Sequence, residues 1–280
     1  MTDLPRPPAA LERYRSLFAP VADGSLYAGI WEPEPDQGMA GTLLAVHGIT
    51  GTHLTWQWLA QELPDWRIIA VDLRGRGRSN TLPENYGLAQ HCDDLVALLN
   101  AAGVIEPVTV VGHSMGGFVA LALADRAPDR VRQLLLIDGG IPVQLPEGVA
   151  PEEALTLVLG ATLRRLQAEY ATPAEVDTFW QNHPGLRGQW GPELAAYAAY
   201  DINGIEPHLH SSTGVSALVD DTRDIQLGDT LPLALANLRH PAQFLRAERD
   251  LQDRPGGLYA TDWVTTWADQ LDQLTAADIP

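Results

Sequence analysis

At 280 residues, with 45% hydrophobic and 19% charged residues, the chain is long enough to build one large core plus an insertion and too apolar to remain disordered. Its 36 acidic against 18 basic residues give a net charge of −18, a surface that repels nucleic acid and anionic membranes. All the basic residues are arginine, since the sequence contains no lysine, and solubility with a compositional bias explains that most simply. The single cysteine, Cys92, excludes an internal disulfide and is compatible with a reducing compartment. Met1 to Ser16 carries prolines and charges where a secretory signal needs an apolar run, and eighteen consecutive apolar residues occur nowhere. The reading is a soluble, cytoplasmic protein without repeats or low-complexity tracts.

Ser16 to Val21 and Ser25 to Glu32 read as strands joined across Asp23-Gly24, a two-residue hairpin signal. Strands near Leu43, Ile69, Val110, Leu135 and Phe244 then alternate with helical patterns near Trp58, Leu95, Val119 and Trp263. Such alternation predicts βαβ units and a mainly parallel sheet flanked by helices. Within it, Val108 to Gly117 (V-T-V-V-G-H-S-M-G-G) is the most informative stretch. A β-branched run stops at Gly112, a serine follows two residues later, and Gly116, Gly117 and a helical pattern come next. This is a strand turning sharply into a helix, with small residues two before and two after the serine because side chains there would collide with neighbouring backbone. The turn presents Ser114 as an exposed nucleophile.

Between Ile141 and about Leu238 the alternation breaks. Pro151 to Tyr170, Pro173 to Gln181 and Pro192 to Tyr200 read as helices opening on proline, which the first helical turn tolerates. The chain thus divides into a first core part (1–140), a helical cap inserted after the sixth core strand (141–238) and a second core part (239–280). Trp180, Trp190 and Tyr197 are the cap's candidate pocket residues, because aromatics interleaved with aliphatics give each cap helix one apolar face.

With these residues in place the sequence resembles the α/β-hydrolase superfamily, in its cap-bearing serine esterase and hydrolase branch. Besides the elbow, three segments carry the resemblance: Gly41 to Gly51, with its His47-Gly48 turn; Arg67 to Ser79, with its Asp-x-Arg-Gly-x-Gly-x-Ser loop; and Phe244 to Asp250. The resemblance implies a Ser-Asp-His triad with Ser114 as nucleophile and Asp250 as the acid, Asp138 being the alternative. It also places the backbone N–H donors of an oxyanion hole at Ile49 and Met115. The family order requires a histidine after Asp250, and none follows. Asp262 to Gln270 resembles the family's penultimate helix and Leu271 to Pro280 its last strand. The expectation is therefore a natural continuation beyond Pro280 that supplies the base and a closing helix, with the 280-residue form nearly inactive.

The remaining histidines fit the base poorly. His47 and His113 read as structural, while His53, His91 and His183 read as loop or helix surface. His208 and His210 could line a pocket mouth or resemble a metal pair, but lack a third ligand at suitable spacing. His240 precedes the acid's strand. The sequence thus predicts a serine hydrolase of an ester, lactone or related acyl compound, with an apolar small-molecule substrate, no cofactor, no metal, and neither nucleic acid nor membrane as partner. A C–C hydrolase, a thioesterase, a cofactor-free perhydrolase and a non-catalytic ligand-binding member remain alternatives.

Overall fold

The computed structural model describes residues 13–36, 38–144, 148, 160 and 162–280. Ten strands occur among them: β1 (Tyr14–Val21), β2 (Gly24–Trp31), β3 (Gly41–Val46), β4 (Trp66–Val71), β5 (Val108–His113), β6 (Val131–Ile137), β7 (Ile202–Ile205), β8 (His208–Ser211), β9 (Ala242–Ala247) and β10 (Leu274–Ile279). Eight form one sheet in the order β1-β2-β4-β3-β5-β6-β9-β10. The β1–β2 and β2–β4 pairs are antiparallel and every pair from β4 to β10 is parallel.

Period-two alternation sorts the central side chains onto two faces. Leu44, Val46, Ile69, Val71 and Val110 join the main core beneath α2 (Leu88–Ala101) and α3 (Met115–Arg126). Leu43, Ala45, Ile68, Ala70 and Val111 face the opposite way and bury Leu54, Trp56 and Ala60, around α1 (Gln57–Glu62). Burial on both faces explains why these strands are continuous apolar runs in the sequence.

The expected hairpin forms, one residue out of place. Val21 pairs with Gly24, so Ala22 and Asp23 make the turn and Gly24 is already strand. Gly24 is nonetheless the residue the corner needs: its φ is +151° and a Cβ there would stand 2.9 Å from Leu82 Cδ2.

Between β6 and β9 lie α4 (Pro173–Gln181) and α5 (Pro192–Tyr200), with the boundaries their prolines predict, then the β7–β8 hairpin, α6 (Val215–Leu227) and α7 (Thr230–Ala236). Of the expected helix Pro151 to Tyr170, residues 151–159 and 161 lie outside the described residues, while 162–166 are helical. Leu231, Ala234 and Leu235 of α7 join the main core. Helix α8 (Thr261–Gln270) precedes β10, the strand at one edge of the sheet. Among the described residues no helix is long and apolar enough to cross a membrane.

Candidate active site

Ser114 sits alone between β5 and α3, at φ 51° and ψ −119°. This left-handed backbone is strained for any residue with a Cβ and persists only where the surroundings dictate it. The surroundings here are glycines. A Cβ on Gly112 would stand 2.2 Å from the Gly116 carbonyl oxygen, one on Gly116 2.0 Å from the Val46 oxygen, and one on Gly117 2.4 Å from the Gly139 oxygen. Gly139, a position the sequence reading did not single out, lies so close that its Cβ would come 2.0 Å from the Ser114 oxygen. The Ser114 N–H donates to the Ile137 carbonyl at 2.8 Å, fixing the turn against the end of β6. Ser114 is thereby held at the C-terminal end of the parallel strands, where open α/β sheets place their sites.

The two expected hole residues flank it. Met115 is the first residue of α3, so its N–H has no intrahelical carbonyl partner and lies at the positive end of the helix dipole. Gly48 passes Ser114 closely: a Cβ on it would stand 3.2 Å from the Ser114 Cβ. The Gly48 carbonyl accepts from His47 Nδ1 at 2.7 Å and from the Gly51 N–H at 2.9 Å. In a trans peptide the next N–H points the opposite way, so two donors on the Gly48 oxygen fix the direction of the Ile49 N–H.

His47 can serve in this way only as a neutral ring. Nδ1 must donate to the Gly48 carbonyl, while Nε2 accepts from the Leu73 N–H at 3.0 Å. Burial pushes its pKa down to about 4. Against an ordinary value of ~6.5, the folded state binds fewer protons than the unfolded chain between those limits, so stability is full above pH ~6.5 and falls as the pH drops towards 4. The loss attributable to this ring should approach ~3 kcal/mol. Denaturant unfolding of the wild type and His47→Gln from pH 7 to pH 4 measures it, and equal slopes in the two proteins would refute it.

The two candidate acids end neighbouring strands. Asp138 follows β6 at φ 48°, next to Ser114 in register because His113 pairs with Ile137. Its Oδ1 accepts from the Ala247 N–H at 3.3 Å, and burial raises its pKa. Asp250 lies three residues beyond β9 in a self-contained turn: Oδ1 accepts from the Gln252 and Arg254 N–H groups, both at 2.9 Å, and Oδ2 from Arg254 Nε at 2.7 Å. The Arg254 guanidinium, then those backbone donors, hold its pKa below the ordinary carboxylate range.

The histidines differ from expectation at two positions. His53 and His91, read as surface residues, are buried. His53 Nδ1 lies 2.9 Å from Asp72 Oδ1 and its Nε2 3.0 Å from the Tyr14 hydroxyl. His91 Nε2 lies 3.0 Å from Asp221 Oδ1. A buried imidazole needs a partner, and each finds a carboxylate from a distant segment. His183 is half-buried against Phe179 and Trp180. His208 and His210 are exposed on β8, where His208 meets Glu169, and no metal-binding cluster occurs among the described residues. His240 Nε2 donates to the Pro128 carbonyl. Cys92 is buried and its thiol pKa is pushed up to about 12 by desolvation, which makes it inert.

Of the expected pocket aromatics, Trp180 and Tyr197 meet edge to face with centroids 5.8 Å apart, and Arg165 covers Trp180. Trp190 lies apart from them, half-buried just before α5. Tyr200, one turn beyond Tyr197, donates to Asp72 Oδ2 at 2.5 Å, tying α5 to the end of β4. A separate cavity of about 450 Å³ lies between α3, α7 and α8, lined by Phe118, Pro142, Leu231, Leu235 and Trp267 among others, with Ser114 not among them. It sits against α3 rather than over the serine.

A family model described as the alpha/beta hydrolase fold matches residues 41–186, a stretch that contains Ser114, Met115, Ile49 and Asp138. Lipase LipV of Mycobacterium tuberculosis is 36% identical over 133 residues, 48% of this chain and 47% of the lipase. The match thus spans about half the length of that curated relative. Among solved structures, an alpha/beta hydrolase from Novosphingobium aromaticivorans superimposes with a TM-score of 0.66 at 20% identity, covering 96% of this chain and 90% of that one. E-2-(acetamidomethylene)succinate hydrolase does so with a TM-score of 0.74 at 20% identity, covering 95% and 91%. At such identity these likenesses concern the fold.

Proposed function

The chain belongs to the alpha/beta hydrolase fold family, and from that premise we propose that it is a serine hydrolase cleaving a carboxylic ester, lactone or related acyl bond through an acyl-enzyme on Ser114. The observation that carries this reading is the strained Ser114 backbone at the start of α3, with the Gly48–Ile49 peptide beside its Cβ. Ser114 Oγ attacks the acyl carbonyl while a general base takes its proton, and the Ile49 and Met115 N–H groups stabilise the tetrahedral oxyanion. The carbonyl–oxygen bond of the ester breaks as the alcohol leaves with that proton, and water then releases the acyl group as the carboxylic acid. Asp250 is assigned as the acid that orients the base, with Asp138 as its rival. The similarity to a protein named a lipase agrees with acyl chemistry. No cofactor enters, and the expected partner is a small apolar substrate in the cytoplasm rather than nucleic acid or membrane.

One observation favours a second reading, a ligand-binding member without turnover. None of the eight histidines is hydrogen-bonded to Ser114 or to Asp250 among the described residues. Treating the full-length protein with a fluorophosphonate and mapping the adduct separates the two. Labelling at Ser114 is expected, and labelling elsewhere, or none, would favour the ligand-binding reading.

On the reading that the cap aromatics Trp180, Trp190 and Tyr197 face the acyl pocket, we expect a preference for apolar or aromatic acyl groups. In a panel of aryl esters, kcat/KM should rise with acyl chain size or aromaticity. A preference for short, charged esters would exclude a pocket of that kind.

A further inference from the structure

Arg76 is wholly buried, in the Asp72 to Ser79 loop that follows β4. Its neighbours in that loop have local structural tasks. Arg74 pairs with Asp94 at 2.9 Å, and the Ser79 hydroxyl accepts the Tyr27 N–H. Arg76 instead reaches the two residues on either side of Ser114 that are read as hole donors. Its Nε donates to the Ile49 carbonyl at 2.9 Å, and one terminal nitrogen lies 3.7 Å from Met115 Sδ. The same nitrogen lies 3.5 Å from the Ala217 carbonyl, and the other donates to the Arg74 carbonyl at 2.9 Å and to Asp221 Oδ2 at 2.5 Å.

We propose that Arg76 is a positioning residue for the oxyanion hole, holding Ile49 and Met115 from behind, and that Asp221 on α6 locks it in place. The plane before the Ile49 Cα is fixed by His47 and Gly51 on the Gly48 oxygen, and the plane after it by Arg76 on the Ile49 oxygen. The Ile49 N–H lies in the first plane, and by holding the second Arg76 anchors the Ile49 Cα that the two planes share, which keeps the donor from shifting away from Ser114. Met115 packs against the same guanidinium, so the two donors share one rigid support.

Asp221 is well suited to hold that support. It is almost wholly buried and accepts from Arg76, from the Gly87 N–H at 2.7 Å and from His91 Nε2 at 3.0 Å. Three chain segments, the Arg76 loop, the start of α2 and α6, therefore converge on one carboxylate. A shift of α6 would pull on Asp221, then on Arg76, and finally on the hole. Arg76 touches no reacting atom in this arrangement; it acts through the backbone it holds.

This inference rests on the reading of Ile49 and Met115 as hole donors, so its test has a separate arm for that reading. Removing the guanidinium alone would strand the buried Asp221 charge and could unfold the protein. The informative variants are therefore Arg76→Met/Asp221→Asn, which removes both charges and keeps an acceptor for Gly87, and Arg76→Lys, which keeps the charge near Asp221 but gives up the fork. Loss of a whole hole donor lowers kcat by ~10²–10³, so a loosened hole should lower it by ~10- to 100-fold with KM almost unchanged. Affinity for a boronic acid that forms a tetrahedral adduct on Ser114 should fall by the same factor as kcat/KM. The carbonyl infrared band of the acyl-enzyme should move to higher wavenumber, as weaker hydrogen bonds to the oxygen require. A purely structural role would lower stability without moving that band. Wild-type kcat and an unmoved band in Arg76→Lys, or in the folded double variant, would overturn the proposal while labelling at Ser114 left the hydrolase reading intact. Absence of Ser114 labelling in the wild type would remove both.

Discussion

Ser114→Ala is expected to abolish ester turnover and fluorophosphonate labelling together while leaving the fold in place. The removed atom is one hydroxyl oxygen on a half-buried side chain that caps nothing, since α3 has no side-chain hydrogen bond at its N-cap. Its loss should not cost stability. Alanine accepts the φ of 51° no worse than serine does, so the thermal midpoint should change little, and relief of strain elsewhere is not required. Catalysis is a different matter, because the nucleophile and its partners act as a unit. Removing the serine of such a unit costs ~10⁶ in kcat, and what remains comes from the hole and from binding. A small thermal shift alongside a collapse of this size would identify a reacting group. Retention of turnover by Ser114→Ala would mean that the strained turn serves another purpose.

Much of this site was legible because its physics is local. The elbow had to be built from Gly112, Gly116 and Gly117, since their Cβ positions would fall 2.0 to 2.4 Å from neighbouring backbone oxygens, and no other residue type satisfies that. The prolines at the starts of α4 and α5 marked both boundaries for a similarly local reason. The hairpin turn was misplaced by one residue because Asp23-Gly24 signals a turn, whereas the pairing of Val21 with Gly24 is decided by what the two strands bury.

Partners across the chain were not legible. His91 finds Asp221 130 residues away, Tyr200 finds Asp72 at a separation of 128, and Arg76 finds Asp221 at 145. Periodicity carries no information about such pairs. For His91 it did carry half of the answer: Leu88, His91, Cys92 and Leu95 recur at helical spacing and are all buried. The imidazole therefore belonged to the inner face of α2, where it would need an acceptor. The β7–β8 hairpin left no comparable signal, as its strands are four residues each and bury only Leu209.

The choice between the two acids is open to the second large test. Asp250→Asn is expected to lower kcat by up to ~10⁴, the size seen when the carboxylate orienting a catalytic imidazole is made neutral. Its thermal stability should hardly change, because the carboxylate is only half-buried and its partners, Gln252, Arg254 and the Arg254 side chain, lie within the same turn. Asp138 gives the opposite pattern of expectations. It sits beside Ser114 at the end of β6, accepts from Ala247 across the sheet, and is partly desolvated. Asparagine there keeps an acceptor for the Ala247 N–H and removes a partly desolvated charge, so Asp138→Asn should fold about as stably as the wild type and retain most of its turnover. The two variants measured in one assay assign the acid. A collapse of kcat in Asp138→Asn with Asp250→Asn unaffected would move the acid to β6. Equal and full activity in both would show that neither Asp250 nor Asp138 orients the base, and would withdraw both assignments while leaving Ser114 as the nucleophile.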